Sequence, residues 1–189
     1  SVLNLSQATA ATVRVLGTQD LAIAAMNAAV FDASNYTGSF LRATNTASGA
    51  TAWNLGKADV STWLLGGAGA DTFNFVLDVG SSTLDRSDRI DGGGGADIVA
   101  ANITGLSAAG PGGLHFANIE TINFTNNGNA SVDAADMGNG AFALTGAASI
   151  DGVVDTTFLN LGGNLNAAAY SGDVLVEADD GDLAELPAE

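Results

Sequence analysis

Two short glycine-aspartate segments constrain this chain more than any other feature of its sequence. Residues 66–74 read Gly-Gly-Ala-Gly-Ala-Asp-Thr-Phe-Asn, and residues 92–100 read Gly-Gly-Gly-Gly-Ala-Asp-Ile-Val-Ala. Both have glycine at the first, second and fourth positions, aspartate at the sixth and an apolar residue at the eighth. Glycine permits left-handed and crowded backbone conformations, so these segments are predicted to be tight turns whose carbonyl oxygens point inward. Phe73 and Val99 are then predicted to begin short strands that face a core.

A cation is the ligand that such turns favour. Each turn ends on a carboxylate, and Ca2+ prefers six to eight oxygen ligands at about 2.3–2.6 Å. The alternative, a flexible glycine-rich linker, does not require an aspartate and an apolar residue at fixed positions twice. The predicted calcium ligands are turn glycines, turn aspartates and two acids before the second turn: Gly67, Gly69, Asp71, Asp88, Asp91, Gly93, Gly95 and Asp97.

The nonapeptides resemble the calcium-binding repeats of the RTX family. That resemblance implies a parallel β-roll in which calcium lies between stacked turns, so that no single repeat supplies the whole ligand shell. Ser87–Asp91 resembles the lead-in often found before such repeats, which favours Asp88 and Asp91 as additional ligands. Two other acids of the same stretch, Asp78 and Asp85, are interpreted as solvated loop charges.

The spacing of the two turns departs from the family pattern. Asp71 and Asp97 are 26 residues apart, whereas turns on one face of a roll recur roughly every 18 residues, or two nonapeptides. The residues from Phe75 to Arg89 are therefore expected either to loop out or to form a degenerate turn of their own.

The remainder of the chain predicts a mostly β fold, a β-solenoid or β-roll. Segments with period-two alternation are bounded by Gly, Asn, Asp and Ser, as half-buried strands are. One Ala-rich segment, residues 20–31, has apolar residues at helical spacings and is predicted as a short helix. The predicted strands are Ser1–Leu5, Thr12–Leu16, Ile119–Thr125, Ala141–Thr145, Thr157–Leu161 and Asp173–Glu177.

An internal similarity supports a stacked fold. Residues 32–41 and 166–175 share an order of Ala, Tyr, a hydroxyl residue, Gly and an apolar pair. Each is predicted as a strand, a Tyr-Gly corner and a second strand, which is how solenoids repeat. The predicted organisation is a β-rich segment 1–65, the calcium-binding turns 66–100, and a solenoid-like segment 101–189 with an acidic tail, or one continuous elongated domain.

Charge and composition exclude several classes of function. The formal net charge is −16, with 21 Asp and Glu against five Lys and Arg, which excludes nucleic acid as a partner and favours bound cations. There is no cysteine, so a secreted chain of this kind needs a staple other than disulfides, such as a metal. No apolar run approaches the roughly 20 residues of a membrane-spanning helix.

Catalytic signals are absent from the sequence. His115 is the only histidine, and neither a nucleophile elbow, a zinc-binding His-Glu-x-x-His segment nor a phosphate loop occurs. The large aromatic residues are scattered and are predicted to pack in the core or at corners rather than to form a sugar-binding strip: Tyr36, Trp53, Trp63 and Tyr170. We therefore expect no enzymatic activity.

A second resemblance suggests the setting in which the chain works. Asn118–Thr125 and Ala130–Ala135 are similar to the β-solenoid stretches of bacterial RTX surface-layer proteins and large adhesins. Together with the nonapeptides, this implies a secreted cell-surface protein exported by a type I system, for which the acidic stretch from Asp173 is a candidate signal. The chain is expected to be a calcium-dependent structural protein that self-associates, at Val2–Leu5 or at an open solenoid end, with a cell-surface polysaccharide as a further candidate partner. The alternative is an RTX-containing fragment of a secreted hydrolase or toxin whose catalytic domain lies elsewhere.

Overall fold

All regular structure in the described residues is β-strand, which confirms the predicted fold class. The computed structural model describes residues 2–55, 61–75, 84, 87–107, 114–135, 137, 140–146, 155–161 and 163–177, and within these the side chains of all but 2–10 and 177. Asp78, Asp85 and the acidic tail beyond Glu177 lie outside these residues. The strands are β1 (Val2–Arg14), β2 (Leu21–Ala33), β3 (Phe40–Asn45), β4 (Ala52–Leu55), β5 (Ser61–Leu65), β6 (Thr72–Phe75), β7 (Arg89–Asp91), β8 (Ile98–Asn102), β9 (His115–Ala117), β10 (Thr121–Thr125), β11 (Ala130–Asp133), β12 (Ala141–Gly146), β13 (Thr156–Leu159), β14 (Leu165–Tyr170) and β15 (Val174–Glu177).

The strands wind into a parallel β-solenoid. Twelve form one sheet in the order β14-β12-β10-β8-β6-β4-β2-β3-β5-β7-β9, with β1 paired to β2, and three form a second sheet, β11-β13-β15. Strands that pair in space are mostly alternate strands in the sequence, because the chain passes once around the solenoid before it pairs with itself. We call β4, β6, β8, β10, β12 and β14 the even-strand face, and β3, β5, β7 and β9 the odd-strand face.

One apolar core fills the solenoid from both faces. Side chains alternate between buried and more exposed along the strands, as in β4, β5 and β10, so every second residue contributes to the core. Its centre is an aromatic stack in which the Trp53 ring lies 5.0 Å from Phe31 and 5.3 Å from Phe73, centroid to centroid. Burial of each such side chain contributes roughly 1.5–3 kcal/mol, so the stack ties β2, β4 and β6 together.

The predicted Tyr-Gly corners are present at both positions. Tyr36 follows β2, and its buried hydroxyl lies 2.8 and 2.7 Å from the carbonyl oxygens of Gln19 and Phe40, either of which can accept its single hydrogen. A Cβ on Gly38 would overlap the Tyr36 ring, and one on Gly172 would overlap the ring of Tyr170. Glycine is therefore required two residues after each tyrosine, because the ring folds back over the turning backbone.

The helix predicted for residues 20–31 is wrong. This segment is β2, and it pairs with three strands: β1 along one edge, and β3 and then β4 along the other. Its buried residues include Ile23, Phe31 and Ala33. The helix propensity of alanine amounts to a few tenths of a kcal/mol per residue, and backbone pairing with neighbours on both sides outweighs it.

The other predicted strands correspond to β1, β10, β12, β13 and β15, with ends that shift by a few residues. Residues 12–14 belong to the same strand as residues 2–5, so two predicted strands are one. The predicted division at residues 65 and 100 stays a prediction, and one cluster of buried residues extends from Val15 to Phe158. Within the described residues no helix is long and apolar enough to cross a membrane.

Candidate metal centre at the glycine-rich turns

The two nonapeptide turns lie one above the other at a single edge of the solenoid. We call this the glycine-turn edge: residues 46–51, 66–71, 92–97 and 118–120, which connect the odd-strand face to the even-strand face. The strands that follow these turns are in register, with Ala52 opposite Thr72, Thr72 opposite Ile98 and Ile98 opposite Thr121. The 26 residues between the two aspartates are therefore one complete coil, in a solenoid whose shorter coils contain 18 to 20.

Backbone hydrogen bonds continue through the turns, which brings their glycines into close contact. The Gly66 amide donates to the Asp91 carbonyl oxygen at 2.8 Å, and the Gly94 amide donates to the Gly67 carbonyl oxygen at 2.9 Å. A Cβ on Gly93 would overlap that same Gly67 oxygen, and Gly93 has a φ of 88°. Glycine is thus required at Gly93 both by its left-handed backbone and by the approach of the turn below it.

A ladder of carboxylates closes the glycine-turn edge. Asp71 Oδ1 accepts the backbone N–H of Thr51, Asp97 Oδ1 accepts that of Asp71, and Glu120 Oε2 accepts that of Asp97, each at 2.7 Å. Each acid immediately precedes a strand of the even-strand face and binds the residue at the same position one coil earlier. The turn aspartates therefore hold successive coils together by charge-assisted hydrogen bonds.

The two turn aspartates differ in their second oxygen. Asp71 Oδ2 accepts the Gly67 amide of its own turn at 2.8 Å. The corresponding amide in the second turn, that of Gly93, donates instead to Asp91 Oδ1 at 3.0 Å. Asp97 is only 1% exposed, and its Oδ2 has no hydrogen-bond partner among the described residues. Asp97 thus presents a buried carboxylate oxygen that no described residue satisfies.

The surroundings of Asp97 oppose its ionisation. Burial raises the pKa of this carboxyl, and the negative charges of Asp71, Glu120 and Asp91 raise it further, against the lowering effect of the hydrogen bond from the Asp71 amide. A carboxyl whose pKa is raised by folding favours the folded state below its unfolded pKa and loses that contribution as the pH rises through the folded pKa. At neutral pH, without a cation, Asp97 therefore opposes folding.

The donor chemistry at Asp97 fits a hard cation such as Ca2+. Carboxylate and carbonyl oxygens are the ligands that calcium prefers, and both occur at this turn. In the part of the chain that the structure describes, no group of three or more acidic or histidine side chains is arranged to hold an ion. Turn carbonyl oxygens would therefore have to complete the shell, from the second turn (Gly93, Gly95) and from the first (Gly67, Gly69).

Asp88 is not brought to this edge. It immediately precedes β7 whereas Asp91 ends it, so the two α-carbons are about 10 Å apart at the usual rise of a strand. Asp88 is buried, and its Oδ1 accepts the backbone N–H and the hydroxyl of Thr62 at 2.9 and 2.6 Å. It holds neighbouring coils together at the opposite edge of the odd-strand face.

Sequence reasoning missed Glu120, the third carboxylate of the ladder. The glycine signature is absent from its turn, which is only three residues long. The prediction placed Glu120 inside the strand Ile119–Thr125, whereas β10 begins at Thr121, so Glu120 directly precedes a strand as Asp71 and Asp97 do. Asp91 does lie at this edge, where it accepts from Gly93 and, at 2.7 Å, from Asn118 Nδ2.

Comparison of the chain with family models, with curated proteins and with solved structures gives no match. The chain is a parallel β-solenoid with a carboxylate-lined, glycine-rich edge. Its likeness to RTX proteins rests on short sequence motifs alone, chiefly the two nonapeptides.

Proposed function

We propose that this chain is a calcium-dependent extracellular structural module, of the surface-layer, filament or adhesin type, without enzymatic activity of its own. The observation that carries the proposal is the buried Oδ2 of Asp97 in a glycine-rich turn, which has no hydrogen-bond partner among the described residues and has Asp71, Asp91 and Glu120 around it. Leaving a buried carboxylate unpaired costs free energy, and a bound cation removes that cost.

Linkage explains how such a module responds to its surroundings. A ligand that binds only the folded chain stabilises it by RT ln(1 + [L]/Kd), or about 2.7 kcal/mol at a hundredfold excess over Kd. The net charge of −16 adds self-repulsion that bound cations reduce. Export from a compartment poor in calcium to one rich in calcium would thus favour folding outside the cell.

Self-association is supported by the described edges of β14 and β15. Among the described strands, β14 pairs only with β12 and β15 pairs only with β13, so each has one unpaired edge. Leu175 and Val176 of β15 are 41% and 46% exposed. A strand edge beside exposed apolar side chains favours addition of a strand from another chain.

A cell-surface polysaccharide is a candidate partner for a protein of this type. The alternative, an RTX-containing fragment of a secreted hydrolase or toxin, also predicts calcium binding but does not require assembly, so assembly separates the two.

We expect calcium to drive assembly of the purified chain. Light scattering coupled to size exclusion should give a low mass in EGTA and a larger mass, or filaments and sheets by electron microscopy, in millimolar calcium. Magnesium at the same concentration and the variant Asp97→Asn in calcium are the controls, and both should stay small. Wild type that remains monomeric in calcium contradicts the self-association; wild type that assembles equally in EGTA contradicts its dependence on calcium.

A further inference from the structure

A row of basic and aromatic side chains crosses the odd-strand face of this acidic protein. Arg42, Trp63, Arg89 and His115 occupy consecutive strands β3, β5, β7 and β9 at the same register. We call them the arginine–tryptophan row. Arg42, Trp63 and Arg89 are exposed, and His115 is partly buried. The row therefore runs along the solenoid axis on its outer surface.

The arginines of this row have no acidic partner in the described residues. Among the residues that the structure describes there is one ion pair, between Arg14 and Asp32 at 2.9 Å, and none at Arg42 or Arg89. The chain has only five Lys and Arg against 21 acids, so partners for an arginine are plentiful. Two guanidinium groups on one face of a chain with net charge −16, neither paired with an acid of the described residues, favour a ligand with negative charge.

Trp63 lies between the two arginines and reaches solvent. The guanidinium carbon of Arg89 lies 5.8 Å from the centre of its ring, and Phe40 contacts it edge-on at 5.9 Å. Trp63 is 43% exposed, whereas Trp53 is fully buried in the core. An exposed indole held in place by its neighbours offers apolar contact area at low entropic cost.

A shallow, open groove of about 330 Å³ follows the row. Its second side is formed by the next outward-facing residues of the same strands, Thr44, Leu65, Asp91 and Ala117. The Asp91 carboxylate is directed to the turn, where it accepts from Gly93 and Asn118. The groove runs along the solenoid axis, so a linear ligand that lies in it would pass both Arg42 and Arg89. These two residues are two strands, or about 10 Å, apart.

We propose that this groove binds a carboxylate-bearing polysaccharide. The guanidinium groups of Arg42 and Arg89 pair with carboxylates of uronic acid residues in the fork geometry that arginine provides, and the exposed part of Trp63 packs against the apolar side of a sugar ring. The inference deepens the proposed function and rests on it for the biological source of the glycan. Of the predicted calcium ligands, only Asp91 lines the groove.

The groove is poorly suited to an extended peptide. β5 and β7 each pair with a strand on both sides, so their backbone groups are not free for the strand addition by which sheets usually bind peptides. A second copy of the chain is also opposed at long range by like charge. An acidic surface of another copy is the competing occupant, and the experiment below separates it from a glycan.

The test is a titration with oligogalacturonate that is monitored by isothermal calorimetry and by Trp63 fluorescence. The double variant Arg42→Gln/Arg89→Gln should bind at least about tenfold more weakly, since charged hydrogen bonds are lost. Trp63→Leu should also weaken binding, and Arg14→Gln should leave it unchanged. Neutral dextran should not bind, and dextran sulfate of similar charge should bind more weakly than oligogalacturonate.

Several results would overturn the inference. They are absence of oligogalacturonate binding by the wild type, equal weakening by Arg14→Gln, or equal binding of dextran sulfate. If the double variant lowers the assembled mass but not glycan affinity, the groove is an interface between copies instead. Titrations in EGTA and in calcium test the two proposals separately. If the chain binds the glycan but does not bind calcium, only the proposed calcium function is contradicted. Circular dichroism verifies the fold of each variant.

Discussion

Gly93→Ala is expected to lower the free energy of unfolding by about 3 kcal/mol. An L-residue at this left-handed position costs roughly 1–2 kcal/mol, since φ of Gly93 is 88°. The added Cβ would also overlap the carbonyl oxygen of Gly67, and overpacking against fixed backbone costs about 1–3 kcal/mol. The Gly67 carbonyl cannot move away easily, because it accepts the Gly94 amide.

The neighbouring residue provides a matched control. A Cβ on Gly94 would meet nothing closer than Ala68 Cα at 3.8 Å, and Gly94 does not have a positive φ. Gly94→Ala should therefore stay within about 0.5 kcal/mol of wild type. Urea unfolding of both variants, in calcium, measures the difference. Equal stability of the two variants would contradict the stacked-turn geometry.

Asp97→Asn is expected to change stability in opposite directions without and with calcium. In EGTA the substitution removes a buried negative charge that Asp71, Glu120 and Asp91 oppose, and it keeps an acceptor for the Asp71 amide. This gain should exceed the cost of the new buried amide N–H, so unfolding should become harder by about 1 kcal/mol. In calcium the wild type gains about 2.7 kcal/mol at a hundredfold excess over Kd, and the variant should lose most of that gain. Urea unfolding in the two buffers gives both values.

Asp71→Asn is the comparison variant, because it is not expected to change stability in opposite directions in the two buffers. Both oxygens of Asp71 accept backbone amides, from Thr51 and Gly67, so replacement of one by an amide group leaves an unsatisfied N–H. The variant should be less stable than wild type by about 1–3 kcal/mol in both buffers. If Asp97→Asn also lost stability equally in both, the role of Asp97 would be structural, and the calcium site would not be centred on it.

The sequence predicted those parts of the fold that depend on neighbouring residues. The turns at 66–71 and 92–97 are encoded by local glycine chemistry, and β10 and β12 by period-two alternation within single strands. The Tyr-Gly corners were recognisable because tyrosine and glycine are two residues apart and contact each other directly.

Features that depend on contacts between coils were not predictable in the same way. β2 reads locally as a helix, and only its pairing with β1, β3 and β4 makes it a strand. Asp88 is close to Asp91 in sequence but at the other end of β7. Glu120 belongs to the carboxylate ladder through its hydrogen bond to Asp97, 23 residues earlier. Coil length varies from 18 to 26 residues, so a fixed repeat does not reveal these neighbours.

The role of Trp63 on the surface could likewise not be predicted from neighbouring residues in the sequence. Its sequence surroundings do not distinguish it from Trp53, yet alternation places one outward and the other in the core. The outward position becomes informative only when Arg42 and Arg89, 21 and 26 residues away, align beside it.

Isothermal calorimetry of a calcium titration, on chain that has been treated with EGTA and desalted, tests the central claim that calcium binds at Asp97. We expect saturable binding by the wild type and loss of the tightest site in Asp97→Asn, with magnesium unable to compete at equal concentration. Absence of calcium binding by the folded wild type, or binding that Asp97→Asn leaves unchanged, would contradict a calcium site at the glycine-turn edge centred on Asp97.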